Sequence, residues 1–137
     1  MSEVLAQLEK KGGGFTEKQL WSNPSPTSNF SAQNITLSQS YLDFKYVKVK
    51  WLKNTGASQT DLCEAIISSD DLSKVAEAGS ANKYMFTIGA TAPTYATFVR
   101  SIKVTSNTKL AFSVAFNVNT SGNDNSIVIP IAVYGLN

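Results

Sequence analysis

The sequence predicts an all-β protein, a β-sandwich or jelly-roll-like domain preceded by one short N-terminal helix. Three observations carry this. Apolar and polar residues alternate with period two, as in Lys45-Tyr46-Val47-Lys48-Val49-Lys50-Trp51. Clusters rich in Asn, Ser, Thr and Gly separate the alternating runs, as Asn54-Thr55-Gly56 and Ser106-Asn107-Thr108 do. The last residues, from Ile127 to Asn137, form a dense apolar run that reads as a strand held in the edge or seam of a sheet. Several short strands at this spacing are the pattern of a sandwich.

Residues 1–11 carry the helical spacing. Met1, Val4 and Leu8 fall at i, i+3 and i+7, with Leu5 beside them. Glu3 lies near the start and Lys10 and Lys11 near the end, which suits the helix dipole. So short a helix is unstable alone in water, so its apolar stripe needs a partner. Met1, Val4, Leu5 and Leu8 are therefore expected to serve oligomerisation or attachment, through a small coiled coil or a groove on another protein. Gly12-Gly13-Gly14 ends the helix and makes a flexible joint. The expected division is residues 1–14, helix and linker, and residues 15–137, the β domain.

Within the β domain, strands are expected over 33–37, 44–52, 62–67, 84–88, 95–104, 109–118 and 127–134. In the 109–118 run the bulky Leu110, Phe112, Val114 and Phe116 share one face. Trp51 lies on the apolar face of its strand and is expected in the core. Residues 69–77 read as a helical turn capped by Ser69 or Asp70. Pro130 should put the last strand at an edge, or lie where an amide would face away from the ladder.

Composition narrows the function. The chain has 137 residues, enough for one domain with a core. Charged residues make up 16%, well below the roughly 25% of ordinary soluble domains. Ser, Thr and Asn take their place, as in extracellular β proteins and virion parts. A net charge of +2 is too small for a nucleic-acid footprint. Lys45, Lys48, Lys50 and Lys53 are expected to form the solvent face of a half-buried strand that protects an edge. The lone Cys63 excludes an intrachain disulfide and reads as a small buried hydrophobe. Residues 1–11 lack a signal-peptide pattern and no run reaches the length of a membrane span. The expectation is synthesis in a cytoplasm without membrane insertion, with any outside role reached by lysis or within a particle.

The chemistry of enzymes is largely missing. The chain has no His, which removes Ser-His-Asp and Cys-His nucleophile arrangements. One Cys cannot build a structural zinc site, and the triple glycine follows a helix where a phosphate cradle would precede one. Asp70 and Asp71 are adjacent, so they diverge on either a strand or a helix. Asn123-Asp124-Asn125 lacks the spacing of a calcium loop and suits a turn. No catalytic residue, metal or cofactor is expected, and an enzyme is not.

Aromatic side chains are the binding candidates, because amphipathic rings stack on sugars. Tyr41, Tyr84 and Tyr95 are the candidates for surface contact, with Trp21 and Tyr134 also considered. Trp21 precedes Asn23-Pro24-Ser25-Pro26, whose prolines hold the chain extended, and reads better as a structural clamp.

Three stretches resemble one family. The opening, Leu20-Trp21-Ser22-Asn23-Pro24-Ser25-Pro26-Thr27-Ser28-Asn29-Phe30-Ser31-Ala32-Gln33, resembles a "Leu-Trp-x-Asn-Pro-x-Pro" lead into a β domain found in small structural proteins of tailed bacteriophages. The close, Ile129-Pro130-Ile131-Ala132-Val133-Tyr134-Gly135-Leu136, is similar to the matching ending of that group, and 95–104, with Phe98-Val99-Arg100, to an internal strand. The resemblance spans about residues 20–137. It implies a virion component, a head fibre, tail fibre or baseplate-type protein, often trimeric, with a β-rich tip and an N-terminal attachment segment. Expected partners are other copies of the chain, capsid or tail proteins, and a host-surface glycan. The alternative expectation is a monomeric, lectin-like carbohydrate-binding module.

Overall fold

A computed structural model describes residues 16–77, 84–89 and 97–137. The predicted N-terminal helix with Met1, Val4, Leu5 and Leu8, the glycine joint and Tyr95 lie outside these residues. The described chain is all-β apart from one helix and two 3-10 turns. In order it forms β1 (Glu17–Ser22), β2 (Gln33–Thr36), β3 (Tyr46–Asn54), β4 (Leu62–Ser68), α1 (Ser69–Glu77), β5 (Tyr84–Gly89), β6 (Thr97–Ser106), β7 (Lys109–Phe112), β8 (Phe116–Asn117), β9 (Gly122–Asn123) and β10 (Ile127–Leu136). The 3-10 turns are Tyr41–Asp43 and Gln59–Asp61.

These strands make two antiparallel sheets. One is four-stranded, in the order β1-β10-β3-β4. The other is six-stranded and runs β2-β7-β6-β8-β9, with β5 also paired to β6. Ile102 of β6 faces Phe112 of β7 and Tyr84 of β5, so β5 flanks β6 on the side away from β7. The core joins the two sheets: Val47, Val49, Ile129 and Val133 come from the first, and Ile35, Ile102, Leu110 and Phe112 from the second. Burying a large aliphatic or aromatic side chain of this kind contributes about 1.5–3 kcal/mol.

The final apolar run is a seam. β10 lies between β1 and β3, pairing Trp21↔Val133 on one side and Val49↔Val133 on the other. Its far end is tied by reciprocal backbone hydrogen bonds between Thr16 and Asn137, at 2.9 and 3.1 Å. Of the two places expected for Pro130, the edge strand is not the one found, because β10 is internal. The ring is tolerated because the β1 ladder ends at Ser22↔Ala132, just before Pro130, and because β10 bulges against β3 between Pro130 and Ala132. The lysine-bearing strand is likewise internal: β3 pairs with both β10 and β4. Its lysines guard no edge.

The opening motif is the clamp that the sequence suggested. Leu20 is buried in the core, and the half-buried Trp21 ring sits 6.2 Å from Phe30 and 6.1 Å from Phe112. The Asn23 side chain does two jobs. Its Nδ2 donates to the Pro130 carbonyl at 2.8 Å, and its Oδ1 accepts from the Ser25 amide at 2.8 Å. The first bond joins the turn to the point where β10 has lost its β1 partner. Asn23→Ala is expected to lower the unfolding free energy by about 1–2 kcal/mol, which chemical denaturation measures; Asn23→Asp, which keeps the acceptor and loses the donor, should recover only part of it.

The 109–118 run is broken where the pattern was smooth. β7 and β8 are one line beside β6, interrupted at residues 113–115. After the break the phase shifts: Ala115 is fully buried and Phe116 is 37% exposed. The shared face expected of Leu110, Phe112, Val114 and Phe116 thus holds only for Leu110 and Phe112.

The cause of the break is Arg100, which projects from β6 into the core and is fully buried. Its guanidinium donates to three backbone carbonyls, from Nε to Val128 at 2.8 Å, from Nη1 to Ser113 at 2.6 Å and from Nη2 to Ile127 at 3.2 Å. It also lies 5.1 Å from the Phe30 ring centroid. Among the described residues no carboxylate pairs with it. Burial lowers its pKa to about 10, so it stays charged at neutral pH. Val128, whose carbonyl takes one of these bonds, has φ 50°. That is a strained conformation for a β-branched residue, costing about 1–3 kcal/mol.

The helical turn over 69–77 is present as α1, but its cap is Ser68. The Ser68 hydroxyl accepts from the Asp71 amide at 3.0 Å. Ser69 instead buries its hydroxyl against the Tyr41 carbonyl at 3.2 Å. Asp70 and Asp71 stand exposed in the first turn and pair loosely with Lys74, at 3.4 and 3.9 Å. Such exposed pairs contribute little.

Candidate contact surface

Catalytic groupings come first, because they would decide the class. Among the described residues no cluster of three His, Cys, Asp or Glu side chains gathers to hold a metal. Asp70 and Asp71 are helix-turn residues, and Asp61 and Glu64 lie exposed at the start of β4 and within it. Asp124 spends its Oδ1 on the Ser126 amide, at 3.1 Å, and hydroxyl, at 2.5 Å. This is the turn that the sequence indicated.

Cys63 is half-buried on β4 and packs against the core cluster. Its pKa is raised, first by burial and then by the Asp61 charge, against a smaller opposing effect of Lys53. The thiol is thus held protonated beyond the range of an ordinary cysteine. At pH 8 it is expected to react with iodoacetamide more slowly than free cysteine, and to approach the free rate only at higher pH; the pH profile of alkylation measures this.

A concave feature lies on the outward face of the four-stranded sheet. Side chains two apart share a face, so Lys48, Lys50 and Leu52 of β3 project together. Their cross-strand neighbours are Tyr134, Ala132 and Ile129 of β10. The segment 23–27 rises at one side and the residues around Ala57 and Leu62 at the other. The result is a cleft of about 680 Å³ lined by Gln19, Thr27, Leu52, Leu62, Ala132 and Tyr134, among others. Leu62 is 40% exposed. Charge is concentrated at Tyr134: the ammonium groups of Lys48 and Lys50 lie 5.0 and 5.3 Å from its ring centroid. Lys48 also pairs with Glu17. Lys50 faces Glu64 in the β3–β4 register yet forms no ion pair with it.

A second, more polar hollow of about 510 Å³ lies on the other side of the same Pro-rich segment. Trp21, Asn29, Phe30, Gln33 and Asn34 line it.

The tyrosines singled out by sequence are not brought together. Tyr41 is a correction: it is only 2% exposed, a core residue of the 3-10 turn. The turn is capped by the Ser40 hydroxyl and fastened by the bond from Ser69, which directs the ring inward. The Tyr84 backbone heads β5 opposite Ile102, and its side chain, like the whole of Tyr95, falls outside what is described. Tyr134 is the ring found at the cleft. Lys50, Leu52, Leu62 and Gln19 were not anticipated there. The alternation of 44–52 and of 129–136 assigns their faces; only the pairing of β3 with β10 puts those faces side by side.

No family model matches the chain, and no curated protein is significantly similar to it.

Proposed function

We propose that the chain is a structural component of a tailed-bacteriophage particle, a fibre or decoration protein, and not an enzyme. Its β-sandwich serves as a displayed contact domain. Residues 1–14 attach it to the particle and join copies into a trimer. One observation carries this reading. The opening and closing stretches that resemble phage structural proteins, whose Asn23 and Pro130 are 107 positions apart in the chain, are neighbours in the fold. β1 of the opening pairs with β10 of the close, and Asn23 bonds to Pro130. The opening and the close therefore meet in a single structural unit, the clamp at the seam, while the third stretch, 95–104, overlaps β6 of the other sheet. The neutral, hydroxyl- and amide-rich composition supports the same reading.

Two measurements test it. Mass spectrometry of density-purified particles from the source of the sequence should find this chain at a fixed copy number. Light scattering should give a trimer for the full chain and a monomer once residues 1–14 are removed. A monomer in both forms removes the trimer, and absence from particles removes the virion role.

The cleft at Tyr134 favours a second reading, a monomeric carbohydrate-binding module. Tight saccharide binding by an isolated monomer would select it. A fibre tip would bind weakly at each site and gain strength from multivalency.

A further inference from the structure

We infer that the cleft on the outward face of the four-stranded sheet is a binding site for a saccharide unit carrying one negative charge, with Lys50 as the partner of that charge. The inference deepens the contact role proposed above and rests on it for its biological setting.

The cleft offers what such a ligand needs. Its volume, about 680 Å³, falls in the range of small-molecule sites. Leu62, exposed at its wall, and the edge of the Tyr134 ring supply apolar surface for the C–H face of a sugar ring. Gln19 and Thr27 supply polar groups whose side chains make no hydrogen bond to any described residue, so both are available to sugar hydroxyls. Asn23 is not, since both its side-chain functions are engaged.

Charge decides the ligand class. Lys48 is neutralised by Glu17 and is largely covered, with its side chain 13% exposed. Lys50 is not part of the cleft lining; it leaves its strand opposite Ala132, and its ammonium lies 5.3 Å from the centroid of Tyr134, both of which line the cleft. Its ammonium turns to the Tyr134 ring while the exposed Glu64 stays in solvent. Lys50, which makes no ion pair among the described residues, thus stands beside a mixed apolar and hydroxyl-binding surface. A sugar with a single carboxylate or phosphate complements it; a charge-assisted hydrogen bond to such an anion is stronger than a neutral one.

Titration of the full chain with tetragalacturonate, a short glycerol-phosphate oligomer and neutral maltotetraose, followed by NMR or calorimetry, tests this. At least one anionic probe should bind about tenfold or more tightly than maltotetraose, and the two anionic arms tell carboxylate from phosphate. Lys50→Gln should lower the anionic affinity about tenfold, roughly 1.4 kcal/mol, and leave the neutral probe unchanged. Leu62→Glu, at an exposed site that tolerates substitution, should weaken the anions comparably and serves if Lys50→Gln loses its thermal transition. Lys103→Gln on the other sheet should change nothing. Equal binding of neutral and anionic probes, no binding by any, or unchanged anionic affinity in both cleft variants would overturn the site. Each result is independent of whether particles contain the chain, so failure here is distinct from failure of the virion role.

Discussion

Arg100→Met is expected to destabilise the protein by about 3 kcal/mol, although methionine is apolar and fills much of the same space. The change removes a buried charge, which by itself would be favourable. It also leaves the carbonyls of Val128, Ser113 and Ile127 without their donor. Each buried polar group so orphaned costs about 1–3 kcal/mol, and these acceptors belong to the backbone, so no repacking removes them. The loss of donors therefore exceeds the relief of desolvation. Arg100→Lys should fall between, because one ammonium cannot span carbonyls on two chain segments as a guanidinium fork does. Urea unfolding of the three proteins measures the order. The pH dependence has a defined sign. The folded pKa, about 10, lies below the ordinary arginine value. The unfolded chain therefore binds more protons between those values, and this group adds stability only as pH rises through that window. Between pH 5 and 9 Arg100 contributes no slope, and wild type and Arg100→Met should show parallel stability profiles there. A variant as stable as wild type would show that the fork is dispensable.

Gly135→Val is expected to cost about 3 kcal/mol or more, and Gly135→Ala about 1–3 kcal/mol. Gly135 lies in the central strand between Lys18 of β1 and Val47 of β3. A Cβ built there would clash with the Phe44 ring at Cγ, Cδ1 and Cδ2. The constraint is close approach, not backbone conformation. Phe44 cannot swing aside cheaply, because it is itself only 9% exposed and its amide donates to Tyr41 at 3.2 Å. Shrinking the ring should therefore rescue. In a double-mutant cycle, Phe44→Leu should be less harmful in the Gly135→Ala background than in wild type, with a coupling of about 1 kcal/mol. Simple additivity would mean that the two residues do not constrain each other.

Much of the fold was legible because period-two alternation reports the buried face directly. Runs 44–52, 62–67 and 84–88 correspond to β3, β4 and β5 within a residue or two at most ends. Three features were not legible, each for a physical reason. β1, with the sequence EKQLWS, has little β-branched character, and it is a strand because β10 offers it a ladder. β8 and β9 have two residues each, too few to show any period. The break at residues 113–115 depends on Arg100, a long polar side chain placed in the core, which pattern reading assigns to solvent. The contact surface was half legible. The lysine face and Tyr134 each follow from phase within one strand, but the cleft exists only because strands about 80 residues apart are neighbours. Tyr41 failed because its amphipathic ring suits a contact surface, while the 3-10 turn at 41–43 folds that ring into the core.

The central claim is that this sandwich is displayed on a phage particle as a contact module. Immunoelectron microscopy with an antibody against the folded β domain tests it most directly. The account predicts label at regular positions on the outside of intact particles. Particles that carry no label, while the same antibody detects the protein free in the lysate, would contradict it.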